Sequence, residues 1–400
     1  YFPKRGILSQ SAAAAGKKIN ATIGTALEDD GRPMVIGTLL DQFTSGDRSM
    51  FNYAPAFGKP ELRTLWGEGL RRKNPGLAGL AISNPVATAA LTHGLSMAGY
   101  LFLAEGDSLL LPDLYWENYD LVFANAFGAK VVTYETFSGD GFHTEAFRKA
   151  LAALPAGKKV VLLNFPNNPT GYTLSRKEAE ELRDALVAEA EAGNNLVVLV
   201  DDAYFGLLYE EGYMDESIFS LLAGAHERIL AVKLDGPTKE DYVWGFRVGF
   251  MTFGCAKNSP ELYAALEGKL GGAIRGSISN VSNLSQTVLL AAYRDPAYEQ
   301  ERVARAGILR RRYELLRDHL AAHPEYRDFF EPLPFNSGYF MCLRFKSGDA
   351  EKVQQILLDE FDCGVIAFGP VMRLAFSSTP YDKIVPMLDS IYQAAKKAAG

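Results

Sequence analysis

Short apolar runs alternate with amphipathic segments between about residue 60 and residue 234. The runs are compact and rich in branched side chains, which is typical of strands that helices cover on both faces of a parallel sheet. Ahead of one amphipathic segment, Ser175-Arg-Lys-Glu178 forms a capping box that predicts a helix start. The repetition predicts a doubly wound α/β domain with ligands at the carboxyl ends of its strands. The predicted strands are 109–111, 131–132, 160–163, 196–200 and 229–232.

The pattern changes after about residue 280. A long helical stretch rich in Arg and Leu covers 298–322. Beyond it we expect a strand at 338–345, a helix at 350–360, a strand at 371–376 and a closing helix at 380–398. We therefore predict a large, mostly parallel sheet domain at 41–285 and a smaller α+β domain built from 1–40 and 286–400.

Composition and charge narrow the class of protein. The 400 residues include 41 Lys and Arg against 48 Asp and Glu, a formal net charge of −7. This charge repels phosphate and no basic run stands out, so we expect no nucleic-acid partner. No apolar run approaches the roughly 18 residues that span a bilayer, so we expect no membrane partner. Three widely spaced cysteines without a C-x-x-C pair favour a reducing compartment, and we predict a cytoplasmic protein.

Missing motifs disfavour several common sites. No G-x-G-x-x-G follows the early strands and no G-x-x-x-x-G-K-[ST] occurs, which argues against a dinucleotide enzyme and a P-loop NTPase. His319 and His323 have the spacing of helical metal ligands, but no acid lies between them. A solvated helix face is the simpler interpretation. We predict no metal site.

Polar residues follow three successive predicted strands. The first is followed by Asn164-Phe-Pro-Asn-Asn-Pro-Thr-Gly171, whose prolines and glycine predict a rigid turn. Asp201 and Tyr204 follow the second, and Lys239 and Arg247 follow the third. A shielded lysine can act as an amine nucleophile, and an arginine flanked by glycines can hold a phosphate. Taken singly, these are also consistent with an ordinary turn and a surface lysine; together they predict a binding site.

With these residues the sequence resembles the fold-type-I pyridoxal-phosphate aminotransferases of the aspartate aminotransferase superfamily. The resemblance covers nearly the whole chain, and the order and spacing of the motifs make it specific. It implies that the large domain binds pyridoxal 5′-phosphate. The matching residues are Asn167-Asn-Pro-Thr-Gly171, Asp201-x-Ala-Tyr204, Lys239 with Arg247 eight residues later, Arg373, Tyr53 in the segment 53–63, and Trp116-Glu-Asn-Tyr119.

The resemblance implies a role for each of these residues toward the cofactor. Lys239 holds it as a Schiff base and then acts as the base that moves the substrate proton. Asp201 pairs with the pyridine nitrogen, while Tyr204 and Asn168 hydrogen-bond the ring oxygen. Arg247 holds the phosphate, and Trp116 stacks on the ring. The remaining phosphate contacts are Thr92, His93 and Gly94 at a helix start, Thr238, and Tyr53 from a neighbouring subunit, which implies a homodimer.

Substrate contacts also follow from the resemblance. Arg373 matches the arginine that binds the substrate α-carboxylate, with Asn168 beside it, and Gly24 matches the segment that closes over that group. Arg275 resembles the partner-subunit arginine that recognises a side-chain carboxylate in aspartate and aromatic aminotransferases. A plain interface or surface arginine is the alternative interpretation of Arg275.

Two departures from the family pattern concern the phosphate. The usual Ser-x-Ser-Lys is here Gly236-Pro-Thr-Lys239, so one hydroxyl contact is lost. The loop at 91–94 has an unusual sequence, which leaves its register open.

A third departure concerns charge. Glu240 and Asp241 place two acids directly after the lysine, which is unusual.

The predicted function is transfer of an amino group between an amino acid and a 2-oxo acid by a ping-pong mechanism. Dicarboxylic or aromatic amino acids are the favoured donors. A C–S β-lyase or a related lyase is the alternative, because the same residues serve both reactions. A non-catalytic regulator is a further alternative, which the presence of Lys239 and the lack of a basic helix-turn-helix segment before residue 40 disfavour.

Overall fold

The computed structural model of the protein describes residues 6–44 and 46–399. The helices are α1 (Ile7–Ala13), α2 (Gly37–Asp41), α3 (Pro60–Lys73), α4 (Ala90–Phe102), α5 (Thr144–Ala153), α6 (Arg176–Glu191), α7 (Phe219–Leu222), α8 (Pro237–Glu240), α9 (Pro260–Ser277), α10 (Asn283–Tyr293), α11 (Tyr298–Ala322), α12 (Ala350–Glu360) and α13 (Tyr381–Ala399). The strands are β1 (Ile19–Asn20), β2 (Val86–Thr88), β3 (Ser108–Pro112), β4 (Lys130–Tyr134), β5 (Phe137–Ser138), β6 (Gly141–Phe142), β7 (Lys158–Asn164), β8 (Asn195–Asp201), β9 (Ile229–Asp235), β10 (Gly249–Gly254), β11 (Phe330–Pro332), β12 (Phe340–Phe345), β13 (Cys363–Gly364), β14 (Ile366–Phe368) and β15 (Val371–Ala375).

A seven-stranded sheet forms the larger part of the fold. Its order is β2-β10-β9-β8-β7-β3-β4, and β10 alone runs antiparallel to its neighbours. The central strands are almost entirely buried, which explains their continuous apolar sequences. All five strands predicted from those runs are present, and the predicted doubly wound α/β class is confirmed.

The predicted capping box also forms. The Ser175 hydroxyl accepts a hydrogen bond from the backbone N–H of Glu178, and the Glu178 carboxylate accepts one from the Ser175 N–H. These contacts satisfy free N–H groups at the start of α6. The helix therefore begins where its sequence predicts.

A second, antiparallel sheet has the order β11-β12-β15-β14 and packs with the chain's last three helices. The predicted helices at 298–322 and 350–360 are confirmed, and strand β12 begins at Phe340 rather than at 338. It starts later because the Gly338 N–H bonds the carbonyl of Leu207 instead of a neighbouring strand. Strand β1 pairs in parallel with β13, so an early segment lies beside the C-terminal part of the chain. The domain limits at residues 40 and 285 stay predictions.

The length and hydropathy of the helices can be compared with what a membrane span requires. Within 6–44 and 46–399, none of the helices is both long enough and apolar enough to cross a bilayer.

Gly171 joins the two sheets at a point with no space for a side chain. Its φ is +72°, and a Cβ built on it would lie 1.9 Å from the carbonyl oxygen of Phe340 and 2.8 Å from that of Ser337. The Gly171 carbonyl in turn accepts hydrogen bonds from the Ser337 N–H and hydroxyl. The rigid turn predicted from the sequence is therefore also a contact between the two halves of the fold.

We predict that Gly171→Ala lowers the free energy of unfolding by more than about 2 kcal/mol. The alanine would have to adopt a positive φ, and its Cβ would also clash with the backbone of the second sheet. Gly139→Ala is the matched control: its φ is +61°, but nothing lies within 4 Å of the added Cβ. That variant should lose only about 1 kcal/mol. Denaturant unfolding of both proteins measures the difference, and equal losses would contradict the close contact.

Candidate active site

Three adjacent parallel strands end side by side and form the floor of the site. In the register of β7 and β8, Asn164 lies opposite Asp201. The Asn164 amide nitrogen donates to the Asp201 carbonyl (2.8 Å), and its oxygen accepts from the Asn168 N–H (2.8 Å). Strand β9 ends next to β8 and leads into α8, which carries Lys239. The strand ends predicted to form a site are therefore neighbours.

A cavity of about 440 Å³ lies over these strand ends. It is lined by ten of the fourteen predicted site residues, drawn from both sheets and from the N-terminal segment. These ten are Gly24, Thr92, Trp116, Asn168, Asp201, Tyr204, Thr238, Lys239, Arg247 and Arg373.

Asp201 is a buried carboxylate at the end of β8. Its Oδ2 accepts a hydrogen bond from the Tyr119 hydroxyl (2.7 Å) and its Oδ1 accepts one from the Ala203 N–H (3.1 Å). Burial raises the pKa of Asp201 to about 6, against the opposing effect of these hydrogen bonds. No ion-pair partner of Asp201 is found among the described residues. The carboxylate is thus held in place, and a cationic group inside the cavity could pair with it.

Tyr119 was not predicted as a site residue. It lies three residues after Trp116, packs edge-to-face against that indole (5.6 Å between ring centroids), and lines the same cavity. The signal was present in the motif Trp116-Glu-Asn-Tyr119, but the sequence does not reveal the partner of the hydroxyl. The structure shows this partner to be Asp201.

Lys239 lies in the short helix α8. Its Nζ is 5.3 Å from the centroid of the Tyr204 ring, and its carbonyl accepts a hydrogen bond from the Tyr339 hydroxyl (2.7 Å). Burial lowers the pKa of Lys239 to about 8; Asp201 opposes the shift, and Arg247 and Arg373 add to it. About a tenth of the amine is therefore neutral at pH 7 and able to act as a nucleophile, far more than for an ordinary lysine.

Gly236, the departure noted before Lys239, has a steric cause. A Cβ at this position would lie 2.8 Å from the Gly249 Cα and 3.0 Å from the Val248 carbonyl oxygen. The backbone entering α8 packs directly against β10, which excludes the serine expected from the family pattern.

Cationic and hydroxyl groups gather at one end of the cavity. Arg247 has a left-handed backbone conformation (φ 54°), and its Nη1 donates to the Trp244 carbonyl (3.0 Å). The Thr238 hydroxyl is buried and has no hydrogen-bond partner among the described residues. Thr92 lies in the first turn of α4, where unpaired backbone N–H groups favour an anion.

Arg373 is buried on β15 and enters the cavity from the second sheet. Its guanidinium donates to the Thr22 carbonyl (3.0 Å) and the Asn168 side-chain oxygen (3.3 Å), and it lies over the Phe340 ring at 4.3 Å. Its Nε has no partner among the described residues. Burial lowers the pKa of Arg373 from its usual value.

Four predicted site residues lie outside the cavity. The His93 Nδ1 accepts a hydrogen bond from the Ala89 N–H (3.1 Å), and Gly94 packs against Leu234. Tyr53 is 89% exposed, and the exposed Arg275 donates to the Ser279 hydroxyl (2.7 Å). Within a single chain, these four residues therefore do not line the cavity that contains Lys239.

Comparisons with known proteins agree with this geometry. A family profile described as "Aminotransferase class I and II" matches residues 17–394. The chain belongs to the class I and II aminotransferases. The fold of an aminotransferase from Anaerococcus prevotii matches with a TM-score of 0.87 and 24% sequence identity, over 98% of this chain and 97% of that one.

Curated relatives of this aminotransferase are also transaminases. It is 26% identical over 310 residues to an aspartate aminotransferase of Bacillus sp. strain YM-2, covering 77% of this chain and 72% of that protein. It is 32% identical over 201 residues to an aspartate/prephenate aminotransferase of Thermus thermophilus, covering 50% and 47% of the two chains. Members of the family use pyridoxal phosphate.

We predict that Tyr119→Phe raises the pKa of Asp201 further, by about one unit or more, because a hydrogen bond to a charged group is worth about 1.5–3 kcal/mol. Carbon-13 NMR titration of the cofactor-free aminotransferase measures this pKa. Tyr115→Phe is the matched control, since the Tyr115 hydroxyl donates to Asp120 instead. Identical Asp201 titrations in the two variants would show that the Tyr119 contact is unimportant.

Proposed function

We propose that this aminotransferase binds pyridoxal 5′-phosphate in the cavity over the strand ends and exchanges an amino group between an amino acid and a 2-oxo acid in a ping-pong reaction. One observation carries the proposal: Lys239, Asp201, Arg247 and Arg373 line a single cavity of about 440 Å³. An amine, a buried carboxylate and two guanidinium groups are the chemistry that this cofactor and an amino acid require.

Groups left without partners support the fit of the cofactor. The Thr238 hydroxyl and the Arg373 Nε are buried without a hydrogen bond among the described residues. Buried polar atoms of this kind are costly unless a bound group satisfies them. A phosphate near Thr238 and a carboxylate at Arg373 would do so.

Different residues would bind the ring nitrogen, the ring oxygen, the ring face and the phosphate of the cofactor. Asp201 would keep the ring nitrogen protonated, with Tyr119 fixing the carboxylate. Tyr204 and Asn168 would bind the ring oxygen, and Trp116 would pack on the ring. The phosphate would be held by Arg247, Thr238 and backbone N–H groups at the start of α4 near Thr92, His93 and Gly94.

When bound, pyridoxal phosphate supplies an electron sink for the electrons left when the substrate Cα loses its proton. Lys239 Nζ would attach the cofactor at rest and afterwards take up that proton and return it. Its lowered pKa, about 8, suits a base that works near neutral pH. Arg373 would orient the substrate through its α-carboxylate, with Gly24 closing over it.

A homodimer would account for two of the four residues that lie away from the cavity. The exposed Tyr53 and the exposed Arg275 would serve the neighbouring active site, as the family resemblance implies. Phe51 beside Tyr53 is 86% exposed, which supports an apolar contact in this region.

Two features bear on the amino donor. The cavity wall formed by Ile7, Leu8 and Ile23 is apolar and fits an aromatic side chain. A dicarboxylic donor would need Arg275 from the partner subunit. The relatives named for aspartate support the dicarboxylic class.

Transfer is favoured over the lyase reaction because the relatives reported above are transaminases. The three cysteines are free and buried, which supports the proposed cytoplasmic location.

We predict that Lys239→Ala loses the absorbance of the lysine-bound cofactor at roughly 420 nm and at least about 10²-fold in rate, because the nucleophile and the base are the same amine. The measurement is a half-reaction panel over the common amino acids, followed by stopped-flow absorbance. Lys177→Ala, with a side chain 86% exposed, is the control.

The same panel tests the reaction type. A transaminase converts one equivalent of donor and is restored by a 2-oxo acid, whereas a lyase releases pyruvate and ammonia continuously without an acceptor. Continuous release, or activity retained in Lys239→Ala, would contradict the proposed function.

We further predict that Arg275→Ala reduces kcat/KM for aspartate by about tenfold or more relative to phenylalanine, since a charge-assisted hydrogen bond is worth about 1.5–3 kcal/mol. Lys269→Ala removes another exposed cation of α9 and serves as the control. An unchanged ratio of the two donors would exclude Arg275 from substrate recognition.

A further inference from the structure

A second cavity lies on the far side of the helix that carries Lys239. Its volume is about 500 Å³, and it is bounded by α3, the end of β9, α8 and the start of α11. Glu240 and Asp241 line it, although they directly follow Lys239 in the sequence. The two unusual acids therefore face away from the active site and into a separate space.

The side chains lining this second cavity have an excess of negative charge. Six carboxylates and three cationic groups give a net formal charge of −3, and one of the carboxylates, Asp235, pairs with Lys233 (3.2 Å) behind the lining. Two of the cations are already engaged: Glu240 pairs with Lys73 and with Arg302 (3.5 Å), and Arg302 also pairs with Glu299 (2.6 Å). The carboxylates are Glu68, Asp235, Glu240, Asp241, Asp295 and Glu299, and the cations are Arg72, Lys73 and Arg302.

Asp241 is a buried carboxylate of this cavity that has no ion pair among the described residues. It is 3% exposed, and its oxygens accept hydrogen bonds from the hydroxyls of Tyr293 (2.7 Å) and Tyr298. No lysine or arginine of the described residues forms an ion pair with it. Two neutral donors only partly offset the cost of burying a carboxylate, and a bound cation would offset more of it.

Aromatic rings complete the wall. Trp66 stacks on Phe250 (4.5 Å between centroids), and its indole N–H donates to Asp235 (3.0 Å). Tyr293 and Tyr298 also line the cavity and pack edge-to-face at 5.0 Å. Rings held rigidly beside carboxylates attract organic cations through their π faces as well as through charge.

We propose that this second cavity binds an organic cation, an ammonium with small apolar substituents, between Asp241 and the rings of Trp66, Tyr293 and Tyr298. Such a ligand matches the negative lining, the apolar walls and a buried carboxylate that has neutral hydrogen-bond donors but no ion pair. It occupies a site separate from the cofactor cavity, because the two cavities have no lining residue in common.

The test is calorimetric titration of the cofactor-loaded protein with choline. The quaternary nitrogen of choline cannot condense with an aldehyde, so its binding is independent of the proposed transamination chemistry. The uncharged isostere 3,3-dimethyl-1-butanol measures what the charge contributes. We expect saturable binding of one choline per chain, at least about tenfold tighter than the isostere.

Two substitutions locate the site. Asp241→Asn keeps the size of the side chain and removes its charge, and should weaken choline binding about tenfold. Gly69 lines the cavity on α3, and a Cβ there would meet only the Arg72 Nη2, at 3.7 Å. Gly69→Leu should therefore fill the space and abolish binding, while Gly69→Ala, the matched control, should retain it within about twofold. Both replacements favour the helix, so the fold should persist even if Asp241→Asn does not fold.

The proposal would be overturned by the absence of saturable choline binding, by equal affinity for the uncharged isostere, or by unchanged binding in folded Gly69→Leu. Sulfate competing with choline on the wild-type chain would instead show that Arg72, Lys73 and Arg302 make this an anion site, which also contradicts it.

Discussion

The register of three adjacent parallel strands is the constraint on which the active site depends. Asn164 faces Asp201 across β7 and β8, and Asp201 faces Leu234 across β8 and β9. This register sets how far each strand extends beyond the sheet, and hence where the Asn168 turn, the Asp201 carboxylate and α8 with Lys239 meet. The Asn164 amide strengthens it by bonding the Asp201 carbonyl and the Asn168 N–H. A shift by one residue would turn Asp201 to the other face of the sheet.

Much of this arrangement was predictable from sequence, because it follows from local signals. Buried parallel strands have continuous apolar sequences, and the capping box at Ser175 marks a helix start with both of its side chains. Strand order then brings the residues at neighbouring strand ends together. Asp201, Lys239 and Arg247 were therefore found from their positions after strands, while the cofactor and most individual roles came from the family resemblance.

The parts that escaped prediction depend on contacts between distant segments or distinct chains. Tyr119 belonged to a recognised motif, yet its bond to Asp201 joins residues 82 positions apart. The serine missing at Gly236 is explained only by the approach of β10. His93 lies at a helix start as predicted, but its ring accepts a hydrogen bond from the Ala89 N–H and does not line the cavity. For Tyr53 and Arg275, the proposed roles concern a neighbouring subunit, so a single chain leaves them exposed.

The bond between Arg373 and the Thr22 carbonyl has a consequence for how the protein is made. Its partners are 351 residues apart, and β1 likewise pairs with a strand near the other end of the chain. Ribosomes add about 5–20 residues per second, so the N-terminal segment waits roughly 20–70 s for these partners. The large sheet can form during that interval, whereas the substrate end of the cavity can close only after synthesis of β15. The complete cavity therefore requires both of these distant segments, and its assembly is limited by the time between the synthesis of the first and the second.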